Sequence, residues 1–324
     1  MSFLPETGVG STARNRSWTA GGARVLTNAR RCWCSLNAQA YRRRNHVLST
    51  LRIPGIAHVL AVASGKGGVG KTTVAVNLAL ALHQDGARVG LFDADLHGPN
   101  IPLMLGIQVK PTAGRPLNIP VVRTDRRPYI PPLERFGLKA MSLGLLMGDT
   151  DTILAEGPLA GRMIRQTIQD VLWGERDVLL LDFPPGTGEP QQTLLNTIHL
   201  DGVLLVTTPQ DLSLMDTSRS LGLFRQAGVP ILGVIENMSF LYCPHCGEPI
   251  EVFARSQRQW AITDTGCEQL GRIPLHMSLS RGIDTGHPLL HTVSDAPEAM
   301  AFRRLAAEVS RKVGLRPGGE EGCR

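Results

Sequence analysis

The chain has 324 residues, 42% of them hydrophobic, and a formal charge of +6 at pH 7. That length suits one large domain or two ordinary ones with a sizeable core, and the composition excludes fibrous and disordered classes. No run of about 18 to 20 apolar residues exists to span a membrane, and no apolar signal-peptide core opens the chain.

The basicity is local. Residues 1–52 hold nine Arg, no Lys and one acid, Glu6, for a charge of +8. Beyond Arg52 there are 25 basic and 27 acidic residues, a charge of −2. A basic groove for nucleic acid is therefore not expected on the body. The leader is Arg-rich, Ser/Thr-rich and almost free of acids, as mitochondrial transit peptides are; a bacterial extension or an over-long start fits equally. The bacterial-type cytoplasm is the expected compartment, with the mitochondrial matrix as the alternative. The six cysteines are Cys32, Cys34, Cys243, Cys246, Cys267 and Cys323. In a reducing compartment paired thiols are more often ligands or redox groups than bridges. The pair Cys32 and Cys34 reads as incidental to the leader.

From His58 the pattern becomes short apolar runs separated by helical segments, the signature of βαβ units. The runs are HVLAVAS, RVGLFDAD, LKAMSLG, DVLLLDFPPG, GVLLVTTP, PILGVIENMS and, as a seventh, LGRIPL. Being apolar on both faces, they suit strands covered by helices on each side. TTVAVNLALALHQ, LAGRMIRQTIQDVLW and PEAMAFRRLAAEVSRKV read as helices. The fold class is therefore α/β, with a doubly wound, mostly parallel sheet flanked by helices, spanning residues 53–315. Residues 108–135 hold six prolines and five arginines and read as a surface excursion. The tail, 316–324, is Gly-rich and charged and reads as disordered.

The first chemical motif is GKGGVGKTT, formed by Gly65, Lys66, Gly67, Gly68, Val69, Gly70, Lys71, Thr72 and Thr73. It follows a strand and opens a helix, the context a phosphate-binding loop needs. Its glycines let backbone N–H groups turn toward phosphate oxygens, and the helix start adds partial positive charge. Lys71 can reach the terminal phosphates and the Thr72 hydroxyl can ligate magnesium; a plain tight turn requires neither. Asp93 and Asp95 lie just past a strand, at the edge where doubly wound sheets bind ligands. Asp182 ends another apolar strand and is followed by a Pro-Gly hinge able to sense a γ-phosphate. Each Asp could equally cap a helix. Asn237 ends a later strand, where a turn role is also open.

Cys243 and Cys246 form a C-x-x-C in FLYCPHCGEP with no second pair downstream. A tetrahedral metal or a cubane cluster takes four thiolates, so the chain offers half a site. His245 reads as solvent-facing, Cys267 as a structural thiol and Cys323 as a tail residue.

Lys66, a second lysine at the start of the loop, resembles the deviant Walker A group of dimeric ATPases. In that group the matching lysine crosses to the partner's nucleotide, which implies a nucleotide-linked homodimer. The ordered set SGKGGVGKTT, DADLHGPNIP, LDFPPGTGE, TPQD, ENMS and CPHC resembles the Mrp family of iron-sulfur cluster carrier ATPases over about residues 56–313. The resemblance implies ATP hydrolysis with Lys66, Lys71 and Asp95 as catalytic residues, Asp95 positioning the attacking water. It implies magnesium supported by Thr72, Asp93 and Asp182, and an adenine edge read by Asn237. It further implies a 4Fe-4S cluster bridged between two protomers by Cys243 and Cys246 of each, for delivery to apo iron-sulfur proteins. Two positions depart from the family pattern, Glu156 where Arg is common and Asn100 where Ser is usual. The alternatives are zinc across the same dimer, a redox disulfide, a partitioning ATPase acting on DNA or membrane, and a metal-insertion or reductase ATPase. A membrane-positioning reading would use the stripe Phe302, Leu305, Val309 and Val313 of the last helix as an anchor.

Overall fold

The computed structural model describes residues 50–95, 100–107, 122–123, 128–145, 158–253, 262–292 and 295–315. The leader up to residue 49, Glu156, Cys323 and the tail lie outside them.

In chain order the elements are β1 (Ile56–Ser64), α1 (Lys71–Gln84), β2 (Val89–Asp93), α2 (Asn100–Met104), a small hairpin of β3 (Val122–Arg123) and β4 (Pro128–Tyr129), β5 (Leu133–Arg135), β6 (Leu138–Ser142) and α3 (Pro158–Asp170). Then come β7 (Arg176–Asp182), α4 (Glu189–Thr197), β8 (Gly202–Thr207), α5 (Asp211–Gln226), β9 (Ile231–Glu236), a second hairpin of β10 (Leu241–Tyr242) and β11 (Pro249–Ile250), β12 (Gln269–Arg272), α6 (Met277–Thr285), α7 (Leu289–Thr292) and α8 (Pro297–Val313).

Eight strands form one sheet in the order β12-β9-β8-β1-β7-β2-β6-β5, and every pairing is parallel except β5 with β6. All seven apolar runs are strands of it. The Pro/Arg-rich excursion is not wholly outside the body, because its last residues, Leu133–Arg135, add the antiparallel edge strand. With a charged pair, Glu134 and Arg135, on a three-residue edge, that strand resists pairing with another chain.

The chain steps from β1 to β2 and β6 on one side, returns to β7 beside β1, then crosses to β8 and β9 on the other. This reversal gathers the C-terminal ends of β1, β7 and β2, where doubly wound sheets bind ligands. One core packs α1, α2, α7 and α8 on one face of the sheet; a second packs α3, α4 and α5 on the other. Helix α1 is buried almost all round from Val74 to Leu82, since α8 covers the side that the sheet does not.

The fate of the last helix is decided by this packing. It starts with Pro297 in its first turn and ends at Gly314 with φ 71, the arrangement favoured at helix ends. Phe302, Leu305 and Val309 are fully buried against the core and Val313 packs at its margin. Burying each large apolar side chain is worth about 1.5–3 kcal/mol. Withdrawing the stripe into a membrane would cost a large share of a domain's stability of about 5–15 kcal/mol. The anchor reading therefore fails. No described helix is long and apolar enough to cross a membrane.

Candidate functional site

Loop 65–70 joins β1 to α1 with Gly68 and Gly70 in the left-handed region, φ 80 and φ 79. Gly65 runs so close to α5 that a side chain there would collide with the backbone of Asp216. Gly70 is constrained twice, by its φ and by Asn237, whose amide nitrogen occupies the space where a Cβ would stand. Gly70→Ala is expected to strain the loop by about 1–2 kcal/mol through φ alone and to displace Asn237. Nucleotide affinity should fall at least about tenfold, which calorimetry would read directly.

Behind the loop the register of the sheet sets the carboxylates. Asp182 on β7 is paired with Val62 of β1 on one side and Asp93 of β2 on the other. Both acids are fully buried. The first residues of α1 hold Asp182: Lys71 Nζ lies 2.5 Å from Oδ1, and the Thr72 hydroxyl donates to Oδ2 at 2.6 Å. Burial nonetheless pushes the Asp182 carboxyl above the usual range, against the pull of Lys71 and Thr72. Asp93 is pushed up to about 7, first by burial and then by the charge of Asp182.

Asp93 serves as a cap. Its Oδ1 accepts the Asp95 N–H at 3.1 Å, and Oδ2 accepts the N–H groups of Asn100 and Ile101 at 3.1 and 3.3 Å and the Ser142 hydroxyl at 3.3 Å. It thus fixes where Asp95 and the start of α2 sit, while Asp182 presents its oxygens to Lys71 and Thr72. Asp95 is half-buried, and its charge acts on Asp182. Asn100, one of the departures from the family pattern, contributes its backbone to this cap.

The Pro-Gly hinge after Asp182 is tied to the loop. The Gly186 N–H donates to the Ser64 carbonyl at 3.0 Å, and Gln191 Nε2, from the first turn of α4, donates to the Pro184 carbonyl at 2.7 Å. Gln191 is fully buried and is a site residue that sequence reasoning missed; its place one helical turn past the hinge was the available signal. Lys66 turns outward instead. Its carbonyl accepts the Ser64 hydroxyl at 2.9 Å, and its ammonium points to Gln210 Oε1, 3.5 Å away at the start of α5. Asn237 is buried, with its N–H on the Thr207 carbonyl and its amide donating to the Val69 carbonyl, both at 2.8 Å.

Cys243 and Cys246 sit in the turn of the β10–β11 hairpin, closed by Cys243 N–H to the Glu248 carbonyl at 2.8 Å and Gly247 N–H to the Cys243 carbonyl at 2.9 Å. The backbone N–H of Cys246, then that of His245, and the Cys246 thiol hold the Cys243 thiol below its ordinary range. Cys246 and His245 are exposed. Among the described residues no three His, Cys, Asp or Glu side chains gather where they could hold a metal, and Cys243, Cys246 and Cys267 are free. Cys267 is remote from the knuckle along the sheet, before β12, where its sulfur accepts from Arg225 at 3.4 Å. The structure therefore gathers the loop, the three Asp and Asn237 into one site and sets the thiolates apart, one connector away.

Comparison with known proteins agrees with this construction. A family profile described as ParA, NUBPL iron-transfer P-loop NTPase, matches residues 55–310. An iron-sulfur cluster carrier protein of Methanocaldococcus jannaschii is 41% identical over 261 residues, covering 80% of this chain and 86% of that one. The iron-sulfur cluster transfer protein NUBPL of Dictyostelium discoideum is 36% identical, covering 83% and 81%. Among solved structures, a nucleotide-binding protein of Archaeoglobus fulgidus in complex with ADP superposes with a TM-score of 0.61 at 32% identity, over 76% of this chain and 92% of that one. The cell division ATPase MinD of Pyrococcus furiosus has the same fold, with a TM-score of 0.58 at 25% identity, over 79% and 99%. Fold, loop, carboxylates and paired thiols lead to one conclusion: this chain belongs to the NUBPL iron-transfer P-loop NTPase family.

Proposed function

We propose that the protein is an ATP-hydrolysing homodimeric carrier that holds a labile 4Fe-4S cluster across its two-fold axis and passes it to apo iron-sulfur proteins. The observation that carries this reading is the exposed hairpin with two thiols, one of them drawn toward thiolate by backbone N–H groups. Two thiolates cannot complete a cubane's coordination, and a second copy supplies the same two. A cluster held at such a boundary is open to transfer. Lys66 supports the same dimer, since its ammonium lies toward Gln210 at the start of α5 rather than inside its own loop.

Within each protomer, Lys71 gives up Asp182 to bind the β- and γ-phosphates, and loop N–H groups take the remaining phosphate oxygens. Asp95, held by Asp93, orients the attacking water. Asn237, just past β9 and bonded to the loop, reads the adenine edge. Magnesium would be held by Thr72 Oγ1 and Asp182 Oδ2, hard oxygen donors that already face each other, with Asp93 behind them, and would neutralise charge on the transferred phosphate. Gln191 and Gly186 couple the hinge to the loop, so a γ-phosphate is felt at both. The partitioning reading is not favoured by a body of charge −2 or by the buried stripe of α8. We place the protein in a bacterial-type cytoplasm, the mitochondrial matrix being the alternative if residues 1–52 act as a transit peptide.

Anaerobic reconstitution with ferrous iron and sulfide, followed by metal analysis and light scattering, tests the reading. The expected result is four iron atoms per two chains, with the loaded species dimeric. Stoichiometric zinc in protein purified without oxygen, or a loaded monomer, would overturn it.

A further inference from the structure

The nucleotide loop and the thiolate knuckle are joined by one short connector, residues 237–243, and both of its ends are held. At the loop end the Asn237 amide is bonded to the Val69 carbonyl, and the Met238 methyl lies 3.6 Å from the point where a side chain on Gly70 would begin. Met238 has φ 53, a conformation that a bulky L-residue keeps only where its surroundings impose it.

At the hairpin end the holding group is Arg272, the last residue of β12, in register with Glu236, the last of β9. Its Nε donates to Glu236 Oε1 at 3.2 Å and to the Ser239 hydroxyl at 2.7 Å, and that hydroxyl in turn donates to Glu236. Its guanidinium lies over the Phe240 ring, 5.1 Å from the centroid, and Phe240 meets Tyr242 edge to face at 5.1 Å. On the return limb, Glu251 is 4.0 Å from Arg272 Nη2. One side chain thus touches the chain both before and after the knuckle. The hairpin has two paired residues on each strand, too few to hold a position unaided, so its placement is inherited from such contacts.

Resting on the carrier reading, we infer that Arg272 is the positioning residue of the Cys243–Cys246 knuckle, and that residues 237–243, anchored by it, carry nucleotide occupancy from the loop to the thiolates. Phosphates entering the loop recruit its N–H groups and reset its peptide planes. The Val69 carbonyl belongs to one of those planes, and Asn237 is bonded to it. Displacement there reaches Met238, whose left-handed backbone has the most to gain by changing. Arg272 then transmits the movement, because it grips Ser239 and Phe240 on the connector together with Glu251 across the hairpin. With a flexible tether in its place, the same movement would be absorbed.

The test uses the full chain without metal. Cys243 and Cys246 are alkylated with iodoacetamide and quantified by peptide mass spectrometry, with no nucleotide, with ADP and with Mg-ATP. In the wild type, nucleotide is expected to change the rate about fivefold or more. In Arg272→Ala that dependence should drop below about twofold, with nucleotide affinity unchanged within the same factor. Arg272→Lys keeps the charge but loses the fork and the planar stack, and should fall between the two. This conservative variant covers the case in which Ala perturbs folding, which the 42% exposure of the Arg272 side chain already disfavours. Wild-type rates indifferent to nucleotide, or an Arg272→Ala protein that keeps the full dependence, would overturn the inference. No cluster enters the assay, so its failure is distinct from a failure to reconstitute iron.

Discussion

Cys243→Ala is expected to abolish the visible cluster absorbance while leaving nucleotide binding intact. The substitution halves the thiolates of the shared cage, from four to two, and the iron retained after desalting should fall at least about tenfold. Nucleotide binding survives because the knuckle and the loop are separate constructions. The hairpin closes through its own backbone bonds, and none of the groups that grip Asp182 comes from it. Cys246→Ala should behave alike. Cys267→Ala is the control, since that sulfur lies before β12, bonded to Arg225, and should leave cluster content unchanged. A Cys243→Ala protein that kept its full iron would place the ligands elsewhere and end the carrier proposal in its present form.

The seven main strands were legible because a parallel sheet covered on both faces demands uninterrupted apolar runs, and this chain supplies them without competing patterns. The loop was legible because its chemistry is contiguous: nine neighbouring residues carry the glycines, the lysine and the hydroxyl together. What could not be read is what folding alone brings together. Arg272 and Glu236 meet through strand register across 36 positions, so nothing in LGRIPL marks the arginine. Asn237 finds Val69 over 168 positions. The aspartates show a different limit. Asp93 and Asp182, each at a strand end, invite the same magnesium-binding role, yet Asp93 is drawn into capping Asp95 and α2 because the start of α2 points N–H groups at it. The edge strand Leu133–Arg135 escaped because its three residues carry two charges and follow a run of prolines, a composition that describes an edge as well as a loop.

Lys71→Ala should produce the largest change at the nucleotide site. A charged hydrogen bond is worth about 1.5–3 kcal/mol, so affinity for ATP should fall roughly tenfold to a hundredfold. Hydrolysis should fall further, by about a hundredfold to a thousandfold, because the lysine stabilises charge that grows on the phosphates during transfer. Calorimetry and phosphate-release assays separate the two effects. A second consequence follows from the burial of its present partner. Lys71 lowers the carboxyl pKa values of both Asp182 and Asp93, which burial has already raised. Asp93 is pushed up to about 7 from an ordinary 3.8. The folded protein thus keeps a proton that the unfolded chain releases above about pH 4, so this group's contribution to stability is lost as pH rises through about 4 to 7. Without Lys71 both carboxyls hold their protons to higher pH, and the loss should become steeper and extend further upward. Thermal melts of metal-free protein from pH 5 to 8 would read this as a widening gap between variant and wild type. If the melts stay parallel, Lys71 exerts no net electrostatic hold on the buried pair; if ATP is hydrolysed at the wild-type rate, the phosphate-binding role of this lysine is wrong.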